Sequence, residues 1–390
     1  AEIYTPIVVG LALAVAFLNP LILKQAMIPW IHSALVLLVV ACPCSLVLAA
    51  PVAQVAAISL AARFGILFRN GETMETAADI TAVAFDKTGT LTRGEPSILE
   101  LLPTDRSTTE TLLQLATSLE ANSDHPLAQA FQVAFGKTDR KILPVTSFQA
   151  LPGRGLSGVI NNTTYRLGEE AWALAIAPGW KGTLPLPKNP HGTTAILADE
   201  VGPVGMFILG DSIRAEASKA LQGLVQLKIR RTVLLSGDRL EAVEALTRSL
   251  PIDEAYGRLS PDEKVYHLES IKKNWGPTLM LGDGVNDTPA LAAANLGVAM
   301  GRRGSDAALA SAGAILLHDD LTRLPLLLGI AKRCRKLIHQ NLALALGLKF
   351  AVFFLSLFGA ATLGMAVIAD TGASVLVVVN GLRALQPPSI

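Results

Sequence analysis

Long apolar segments occupy both ends of the chain. They cover residues 6–23, 28–62, 337–357 and 359–382, and each reaches the ~18 to 20 residues that a membrane-spanning helix needs. The mean hydropathy of +0.45 is above that of an ordinary soluble protein. We therefore predict an integral, multi-pass membrane protein with two transmembrane helices in residues 1–67 and two more in residues 331–390.

The segment between these ends alternates strand and helix patterns. Residues 81–85 form a β-branched apolar run typical of a buried parallel strand, and similar runs follow at residues 232–236, 278–281 and 296–299. This rhythm predicts a doubly wound α/β sheet in residues 68–92 and 206–330. Residues 93–205 have helix patterns followed by short strands and turns, which predicts an inserted α+β domain.

Charge placement predicts the orientation of the chain in the membrane. Basic residues flank the helix ends that meet the soluble block, against Lys24 alone in the opposite loops. Such a bias places the block and both termini in the cytoplasm. The net charge of +1, without a basic patch interleaved with aromatics, gives no reason to expect a nucleic-acid partner. Three cysteines do not make a disulfide framework.

Asp86 is the first candidate catalytic residue. It ends the strand at residues 81–85 and opens the run Asp-Lys-Thr-Gly-Thr, so its carboxylate should lie where open α/β sheets bind ligands. Gly89 permits a sharp turn, while Lys87 and Thr88 offer a positive charge and a hydroxyl to a phosphate. Taken alone, this run could also be a strand-to-turn connection with a capping aspartate.

Three further segments should converge on Asp86. They are Ser236, Gly237 and Asp238 after the second strand, Lys264 at the start of a helix, and the run Gly282–Asp287 after the third strand, which contains Asp283, Asn286 and Asp287. Carboxylates crowded at one edge repel one another unless a cation holds them, and oxygen ligands favour magnesium. The set suits phosphoryl transfer to Asp86, although the run Gly282–Asp287 alone could also be a type I′ or similar turn.

The membrane segments carry a second constellation. Cys42 and Cys44 flank Pro43, which must interrupt the helix, and Lys349 and Asp370 lie deep in the last two segments. Two thiolates, one carboxylate, one lysine and a divalent cation sum to zero charge, which lipid favours. This donor set suits zinc or cadmium, although cysteine is also a small packing residue.

The strings DKTGTLT and GDGVNDTPAL, together with the membrane CPC, resemble the heavy-metal-transporting P-type ATPases, whose phosphorylation domain has the haloacid-dehalogenase-like fold. This resemblance implies that Asp86 is the phosphorylated aspartate. It also implies that Lys264 and Ser236 contact the phosphoryl group, Ser236 standing where the family usually has threonine. Magnesium would be held by Asp86, Asp283 and the Thr88 carbonyl, with Asn286 and Asp287 completing the pocket.

The resemblance extends to an ATP site in the inserted domain. Ser123-Asp124-His125-Pro126 resembles the family's Ser-Glu-His-Pro, with aspartate in place of glutamate, and Gly153-Arg154-Gly155 resembles its Gly-x-Gly. The adenine of ATP would then lie against a group of four residues, Glu120, His125, Gly153 and Gly155. On residue chemistry alone, His125 before Pro126 is more typical of a surface turn.

The last two membrane segments resemble those of the zinc, cadmium and lead subgroup. The similar stretches are Asn341 to Lys349 and Ala369 to Gly372, and no tyrosine follows Tyr266, whereas a copper pump should have one here. We expect ATP-driven export of zinc, or of cadmium or lead. The alternatives are a copper or cobalt pump of the same family, a membrane-tethered phosphatase with structural cysteines, and a non-catalytic subunit that binds nucleotide.

The family's actuator domain, with its Thr-Gly-Glu loop, is not found in these 390 residues. The chain opens at Ala1, at what resembles the run just before the CPC helix. We therefore expect it to be the carboxy-terminal part of a longer pump. Its partners would be membrane lipid, ATP, a soft divalent ion and the missing actuator portion.

Overall fold

The computed structural model describes residues 4–24, 26–41, 44–123, 125, 127–136, 138–187, 192–238, 240–283, 287–301, 306–357 and 362–388. Its elements, in chain order, are α1 (Tyr4–Leu23), α2 (Met27–Ala41), α3 (Cys44–Arg63), β1 (Ile66–Phe68), α4 (Gly71–Asp79), β2 (Ala82–Asp86), β3 (Thr92–Pro103), α5 (Thr109–Glu120), α6 (Leu127–Phe135), β4 (Thr146–Leu151), β5 (Gly155–Ile160), β6 (Thr163–Gly168), α7 (Glu170–Leu174), β7 (Thr193–Asp199), β8 (Gly202–Ile213), α8 (Ala217–Gln226), β9 (Arg231–Leu235), α9 (Leu240–Ser249), β10 (Glu254–Tyr256), α10 (Pro261–Trp275), β11 (Thr278–Gly282), α11 (Thr288–Ala293), β12 (Leu296–Met300), α12 (Asp306–Ser311), β13 (Ala314–Leu316), α13 (Arg323–Leu357) and α14 (Leu363–Leu382).

The first sheet has the strand order β1-β13-β12-β11-β2-β9-β10. All neighbours are parallel except β1, which pairs with β13 in the antiparallel direction. The chain leaves β2 towards β9 and β10 on one side and later fills the other side with β11 and β12. The order of the strands therefore reverses at β2, and the carboxyl end of this strand, at Asp86, is the point where open α/β sheets bind ligands.

The burial of β2 agrees with its place as an interior strand of this sheet. All five of its residues are buried, and Val83 and Phe85 pack into the core on one face while Ala82 and Ala84 pack into the core on the other. A strand covered on both faces is apolar throughout, as the sequence pattern indicated. Asp86 is the first residue along this strand that carries a charge.

The second sheet is antiparallel, with the strand order β3-β8-β7-β6-β5-β4. Helices α5 and α6 cover one face, and the rings of Phe131 and Phe207 meet edge to face with centroids 4.9 Å apart. The chain enters this sheet after β2 and leaves it before α8, as expected for an insertion. Strand β8 runs through the predicted boundary at residues 205 and 206 to Ile213, because it pairs along its length with β3, where Thr92 lies opposite Ile213.

Among the residues that the structure describes, three helical segments are long and apolar enough to cross a membrane: Met27–Arg63, Arg323–Leu355 and Leu363–Leu385. A shorter apolar helical stretch, Pro6–Ile22, precedes them. The prediction of a multi-pass membrane protein is confirmed. Cys42 and Pro43 lie outside the described residues, with α2 ending before them and α3 beginning after them.

Helix α13 begins at Arg323, earlier than the predicted start of the last membrane region at residue 331. Its first turns bury Leu324, Leu327 and Leu328 in the core that also holds the first sheet. This part of α13 is therefore a stalk that belongs to the soluble block. The same helix then continues to Leu357, so the soluble block and the apolar segment share one continuous helix.

Candidate active site

Asp86 is held at the end of β2 by the turn Lys87–Leu91. Gly89 in this turn has a φ of +71°, and a Cβ atom placed on it would lie 2.6 Å from Oδ2 of Asp283. Both the backbone angle and the close approach require glycine. The loop after Asp86 and the end of β11 are therefore packed against each other with no room for a side chain.

Lys264 reaches Asp86 from the first turn of α10. Ser260 caps this helix through a capping box with Glu263, and Pro261 occupies the first turn. Nζ of Lys264 donates to Oδ1 of Asp86 and to Oδ1 of Asp287, each at 2.6 Å. Lys264 and both carboxylates are buried. One ammonium group thus holds two carboxylates at the edge of the sheet.

Asp283 adds a third carboxylate to this cluster. Oxygen atoms of Asp86, Asp283 and Asp287 lie within 4.8 Å of one another. Three carboxylates against one lysine leave an excess of negative charge in a largely buried place. Closely spaced carboxylate oxygens are the ligands that Mg²⁺ prefers, so the residues present fit a magnesium ion.

Burial dominates the electrostatics of Asp86. Loss of solvent, followed by the charge of Asp287, raises the pKa of Asp86 to about 7, although Lys264 acts in the opposite direction. The pKa of Lys264 is lowered by its own burial, but Asp86 and Asp287 outweigh this and raise it overall. Asp86 is therefore a carboxyl group whose ionisation depends on a positive charge beside it.

A cavity of about 290 Å³ opens over this cluster. The predicted residues that line it are Asp86, Thr88, Ser236, Gly237, Asp238, Lys264, Asp283 and Asp287. Lys87 forms an ion pair with Asp238, and Oγ of Ser236 accepts from the amide of Asp238 at 3.1 Å. The structure thus brings together all the predicted residues of this site that it describes. Asn286 lies outside the described residues.

A second, larger cavity of about 780 Å³ lies in the inserted domain. Glu120, His125, Gly153 and Gly155 all line it, whereas Pro126 lies outside the described residues. Gly153 has a φ of +75°, and a Cβ on Gly155 would lie 2.2 Å from the Leu167 carbonyl oxygen. The Gly-x-Gly turn therefore needs glycine at both positions, and it forms one wall of the cavity.

Glu120 has an unusual environment in this second cavity. Its Oε2 atom is buried without a hydrogen-bond partner. Burial raises the pKa of Glu120 to about 7, against a hydrogen bond from Ser123 that lowers it. A cavity wall that holds an unpaired polar atom is suited to a ligand that supplies the missing partner.

Sequence reasoning missed Arg214, which contacts the loop after Asp86. Its guanidinium group donates to the carbonyl oxygens of Gly89 at 2.9 Å, Thr90 at 2.9 Å and Thr92 at 3.1 Å. It also donates to the carbonyl oxygen of Asp319 at 3.1 Å. The only signal in the sequence is an arginine that directly follows a strand, and nothing in that pattern indicates its partners.

The membrane helices bring together the two predicted charged residues. Nζ of Lys349 on α13 lies 3.1 Å from Oδ1 of Asp370 on α14. They line a small cavity of about 10 Å³ whose other walls are apolar, which is roughly the space of one water molecule or ion. Cys44 begins α3, which packs against both helices through Ala49, Ala345 and Val377. Cys42 lies outside the described residues.

The fold, with its acid cluster at the end of β2, is that of a known class of proteins. Residues 80–295 match the family model of haloacid dehalogenase-like hydrolases. A cadmium-transporting ATPase of Staphylococcus aureus is 34% identical over 99% of this chain and 54% of its own length. A zinc/cadmium/lead-transporting P-type ATPase of Escherichia coli (strain K12) is 35% identical over 99% of this chain and 52% of its own length.

A solved structure agrees with these relatives. The crystal structure of a zinc-transporting PIB-type ATPase in the E2.Pi state is similar with a TM-score of 0.86 and 34% identity, covering 98% of this chain and 63% of that one. The chain belongs to the haloacid dehalogenase-like hydrolases and, within them, to the heavy-metal P-type ATPases. It spans about half the length of the curated relatives that it matches.

Proposed function

We propose that this chain is the catalytic and ion-conducting part of an ATP-driven exporter of a soft divalent metal ion, with zinc as the first candidate. The observation that carries the proposal is the buried cluster in which Lys264 holds Asp86 and Asp287 at the carboxyl end of β2. An aspartate in this position, facing a cavity, is suited to act as a nucleophile towards phosphorus.

The proposed reaction is transfer of the γ-phosphoryl group of ATP to Asp86. A carboxylate oxygen of Asp86 attacks the γ-phosphorus in line, the bond from that phosphorus to the β–γ bridging oxygen breaks, and ADP leaves with the electron pair. Lys264 lies 2.6 Å from Asp86 and offsets charge on the transferred group. Ser236 and the backbone of Gly237 line the same cavity and would hold the phosphoryl oxygens.

Magnesium fits the three carboxylates at this site. Asp86 and Asp283, with the carbonyl of Thr88, would hold it, and Asp287 would position Lys264 beside them. The ion would offset the negative charge of the phosphates when ATP is bound. Its charge would also favour the ionised form of Asp86, which burial otherwise disfavours.

The second cavity is the proposed site of the ATP base. Its volume of about 780 Å³ lies within the range of small-molecule sites. Glu120 and His125 supply polar atoms on one side, and the backbone at Gly153 and Gly155 supplies the other. The unpaired Oε2 of Glu120 supports this proposal, because an adenine amino group would give that atom a partner.

The transported ion is proposed to bind near Lys349 and Asp370. The S. aureus relative is named as a cadmium-transporting ATPase, and the E. coli relative is named as a zinc/cadmium/lead-transporting ATPase. We propose that Cys42, Cys44 and Asp370 are the ligands of the ion and that Lys349 pairs with Asp370 when the ion leaves. The present distance of 3.1 Å between the Lys349 and Asp370 atoms supports the second part.

We also propose that the soluble block faces the cytoplasm and that an actuator portion acts with this chain to hydrolyse the aspartyl phosphate. The bias of basic residues towards the soluble block supports the first statement. The greater length of the curated relatives agrees with the second.

The experiment that tests the proposal is phosphorylation of the purified protein in lipid by γ-labelled ATP with a panel of metal ions. We expect acid-stable, hydroxylamine-sensitive label that requires Mg²⁺, and ATP hydrolysis by the full-length protein that zinc, cadmium or lead stimulates. If the protein hydrolyses phosphate esters and no metal ion of the panel increases the rate, the protein would instead be a phosphatase. Nucleotide binding without any acyl phosphate would indicate a non-catalytic subunit.

A further inference from the structure

Arg214 joins three parts of the molecule through one side chain. It follows the last residue of β8, so it lies where the chain returns from the second sheet to the first. Its guanidinium group reaches the loop after Asp86 and the carbonyl of Asp319, which precedes α13. Its backbone amide also donates to the carbonyl of Leu91 at 2.9 Å. The side chain is 11% exposed.

The partners of Arg214 explain why this residue is an arginine. Four carbonyl oxygens converge on it, at Gly89, Thr90, Thr92 and Asp319. A planar guanidinium group has five donors in a fixed fork, whereas a lysine has a single nitrogen at the end of a flexible stem. Carbonyl groups left without a donor in a partly buried place would destabilise the loop.

The position of this loop matters for the acid cluster. Gly89 packs so closely against Asp283 that even a Cβ atom would clash with its carboxylate. A shift of the loop by one ångström would therefore disturb the spacing between Asp86 and Asp283. Arg214 donates to the carbonyl oxygens of Gly89, Thr90 and Thr92 in this loop, and so it can fix this spacing through the loop backbone.

We propose that Arg214 is a positioning residue for phosphorylation: it fixes the loop after Asp86 at the distance from Asp283 that the reaction requires, and it anchors this loop to the segment before α13. Arg214 touches neither the carboxylates nor the cavity, so it acts through the backbone of the loop. The proposal rests on the proposed function for its kinetic consequence, but the effect on the loop itself does not.

The first measurement is amide hydrogen exchange of residues 88–92 in the complete protein without nucleotide. We expect Arg214→Ala to accelerate exchange in this loop by about tenfold or more, and Arg214→Lys to have a smaller effect. Arg106→Lys is the matched control, because Arg106 also makes a forked contact, with Asp199 and the Gly202 carbonyl, but within the second sheet. Unchanged exchange of residues 88–92 in Arg214→Ala would overturn the proposal.

The second measurement is the rate of acyl phosphate formation. We expect Arg214→Ala to lower the rate at saturating ATP by about 100-fold, as a misplacement of about 1 Å can do, with the ATP concentration for half-maximal rate unchanged. Arg214→Lys should be intermediate, and added guanidinium ion at low concentration should partly restore Arg214→Ala. A purely structural role would lower nucleotide binding as well and would not respond to guanidinium.

These outcomes separate the two proposals. If the unmodified protein forms no acyl phosphate, the proposed function fails, and the exchange measurement still decides the role of Arg214. If the unmodified protein is phosphorylated and Arg214→Ala is phosphorylated at the same rate, the positioning role is wrong while the proposed function stands. An equal loss of rate in Arg106→Lys would also contradict the positioning role, because it would show a general effect.

Discussion

Lys264 and Lys349 each lie against a carboxylate, and the surroundings of the two lysines differ in charge. Lys264 contacts two carboxylates at 2.6 Å each, and Asp283 lies beside them, so the cluster at the sheet edge keeps an excess of negative charge. Lys349 faces one carboxylate at 3.1 Å between membrane helices, so that pair is neutral. The charge of the first site therefore suits a cation, whereas the second site is balanced without one.

The difference follows from what each site must tolerate. A cavity of about 290 Å³ opens over the sheet edge, so there is room for a cation and a phosphate group beside the unbalanced charge. The membrane pair lines a space of only about 10 Å³ with apolar walls, where an unbalanced charge would be costly. Under the proposed function, a site that binds and releases an ion in lipid would need a built-in counter-charge, whereas a site that works with Mg²⁺ would not.

The largest effect should come from removal of the nucleophile at the unbalanced site. We expect Asp86→Asn to abolish hydroxylamine-sensitive phosphate, because the amide cannot form the acyl phosphate. Nucleotide binding in the second cavity should remain, since Glu120 and His125 are part of another domain. Labelling with γ-labelled ATP and a separate nucleotide-binding titration are the measurements.

The matched control for this prediction is Asp262→Asn. Asp262 lies in the first turn of α10, two residues before Lys264 along the chain, but it is exposed. The Asp262→Asn variant should be phosphorylated on Asp86 at about the rate of the unmodified protein. Label that persists in Asp86→Asn would contradict the assignment of the phosphorylated residue and would remove one side of the comparison.

The next effect should follow from removal of the lysine at the unbalanced site. We expect Lys264→Met to lower the free energy of unfolding by about 3 kcal/mol without Mg²⁺, because it leaves buried carboxylates without their partner. Added Mg²⁺ should recover part of this loss by binding the three carboxylates. Thermal unfolding with EDTA and with Mg²⁺ measures both quantities.

Lys272→Met is the control for the lysine on the same helix. Lys272 pairs with Glu269 and the Ala293 carbonyl near the surface, so its loss should cost less than about 1 kcal/mol. If Lys264→Met is no less stable than Lys272→Met in EDTA, the excess negative charge at the sheet edge is not the feature that distinguishes the two sites.

At the neutral membrane site, the pair should behave as a unit. We expect Lys349→Met and Asp370→Asn each to destabilise the protein, and the double variant to recover about 2 kcal/mol of the summed loss, because it leaves no unpaired charge. Unfolding in lipid or detergent measures this coupling. Lys349→Ala should also impair metal transport, and unchanged transport would contradict the counter-ion role.

Much of the site at the carboxyl end of β2 could be predicted from the sequence. Asp86, Ser236 and Asp283 each follow an apolar strand, and the carboxyl ends of parallel strands meet at one edge. The reactive residue types at those positions can be read directly from the sequence. Lys264 follows a sequence pattern that is typical of the start of a helix. The pairing of Lys349 with Asp370 was likewise suggested by two charges in otherwise apolar segments.

Other features left no pattern to detect. The partners of Arg214 are backbone carbonyl oxygens, which every residue has. No residue type at positions 89–92 therefore indicates the contact. Strand β8 continues past the predicted domain boundary because of its pairing with β3, which is a long-range property. Strand β1 has three residues, too few for any periodicity.

The unbalanced site should also give the protein a distinctive pH dependence. Burial raises the pKa of Asp86 to about 7, whereas an unfolded aspartate titrates near 3.9. Between these values the folded state holds a proton that the unfolded state has lost, so this group makes stability fall as pH rises, by at most about 1.4 kcal/mol per pH unit. Above about pH 7 the folded protein bears the whole free-energy cost of holding Asp86 ionised in its buried position.

The measurement is thermal unfolding between pH 4.5 and 7.5 in EDTA, compared between the unmodified protein and Asp86→Asn. The difference between the two should grow in favour of Asp86→Asn as pH rises, and Mg²⁺ should reduce it, since the ion favours the ionised carboxylate. A difference that shrinks with rising pH would mean that Lys264, not burial, controls Asp86.

The smallest effect tests whether the membrane region depends on its ion pair or on neutral contacts. Asn341 on α13 is fully buried; its Nδ2 donates to the Ala49 carbonyl of α3 at 3.0 Å, and its Oδ1 accepts from Nδ2 of Asn380 on α14 at 2.9 Å. One amide thus joins three membrane helices. We expect Asn341→Leu to cost about 1 kcal/mol in unfolding free energy, within the range of such contacts between membrane helices.

Gln340→Leu is the control, because Gln340 is exposed and contacts Asn380 only at 3.5 Å, and it should have almost no effect. If Asn341→Leu costs more than Lys349→Met, the helices are held together by the neutral amides. Lys349 and Asp370 could then separate around an ion without loosening α3 from α13 and α14. The charge balance of the pair would affect the binding of the ion and not the stability of the fold.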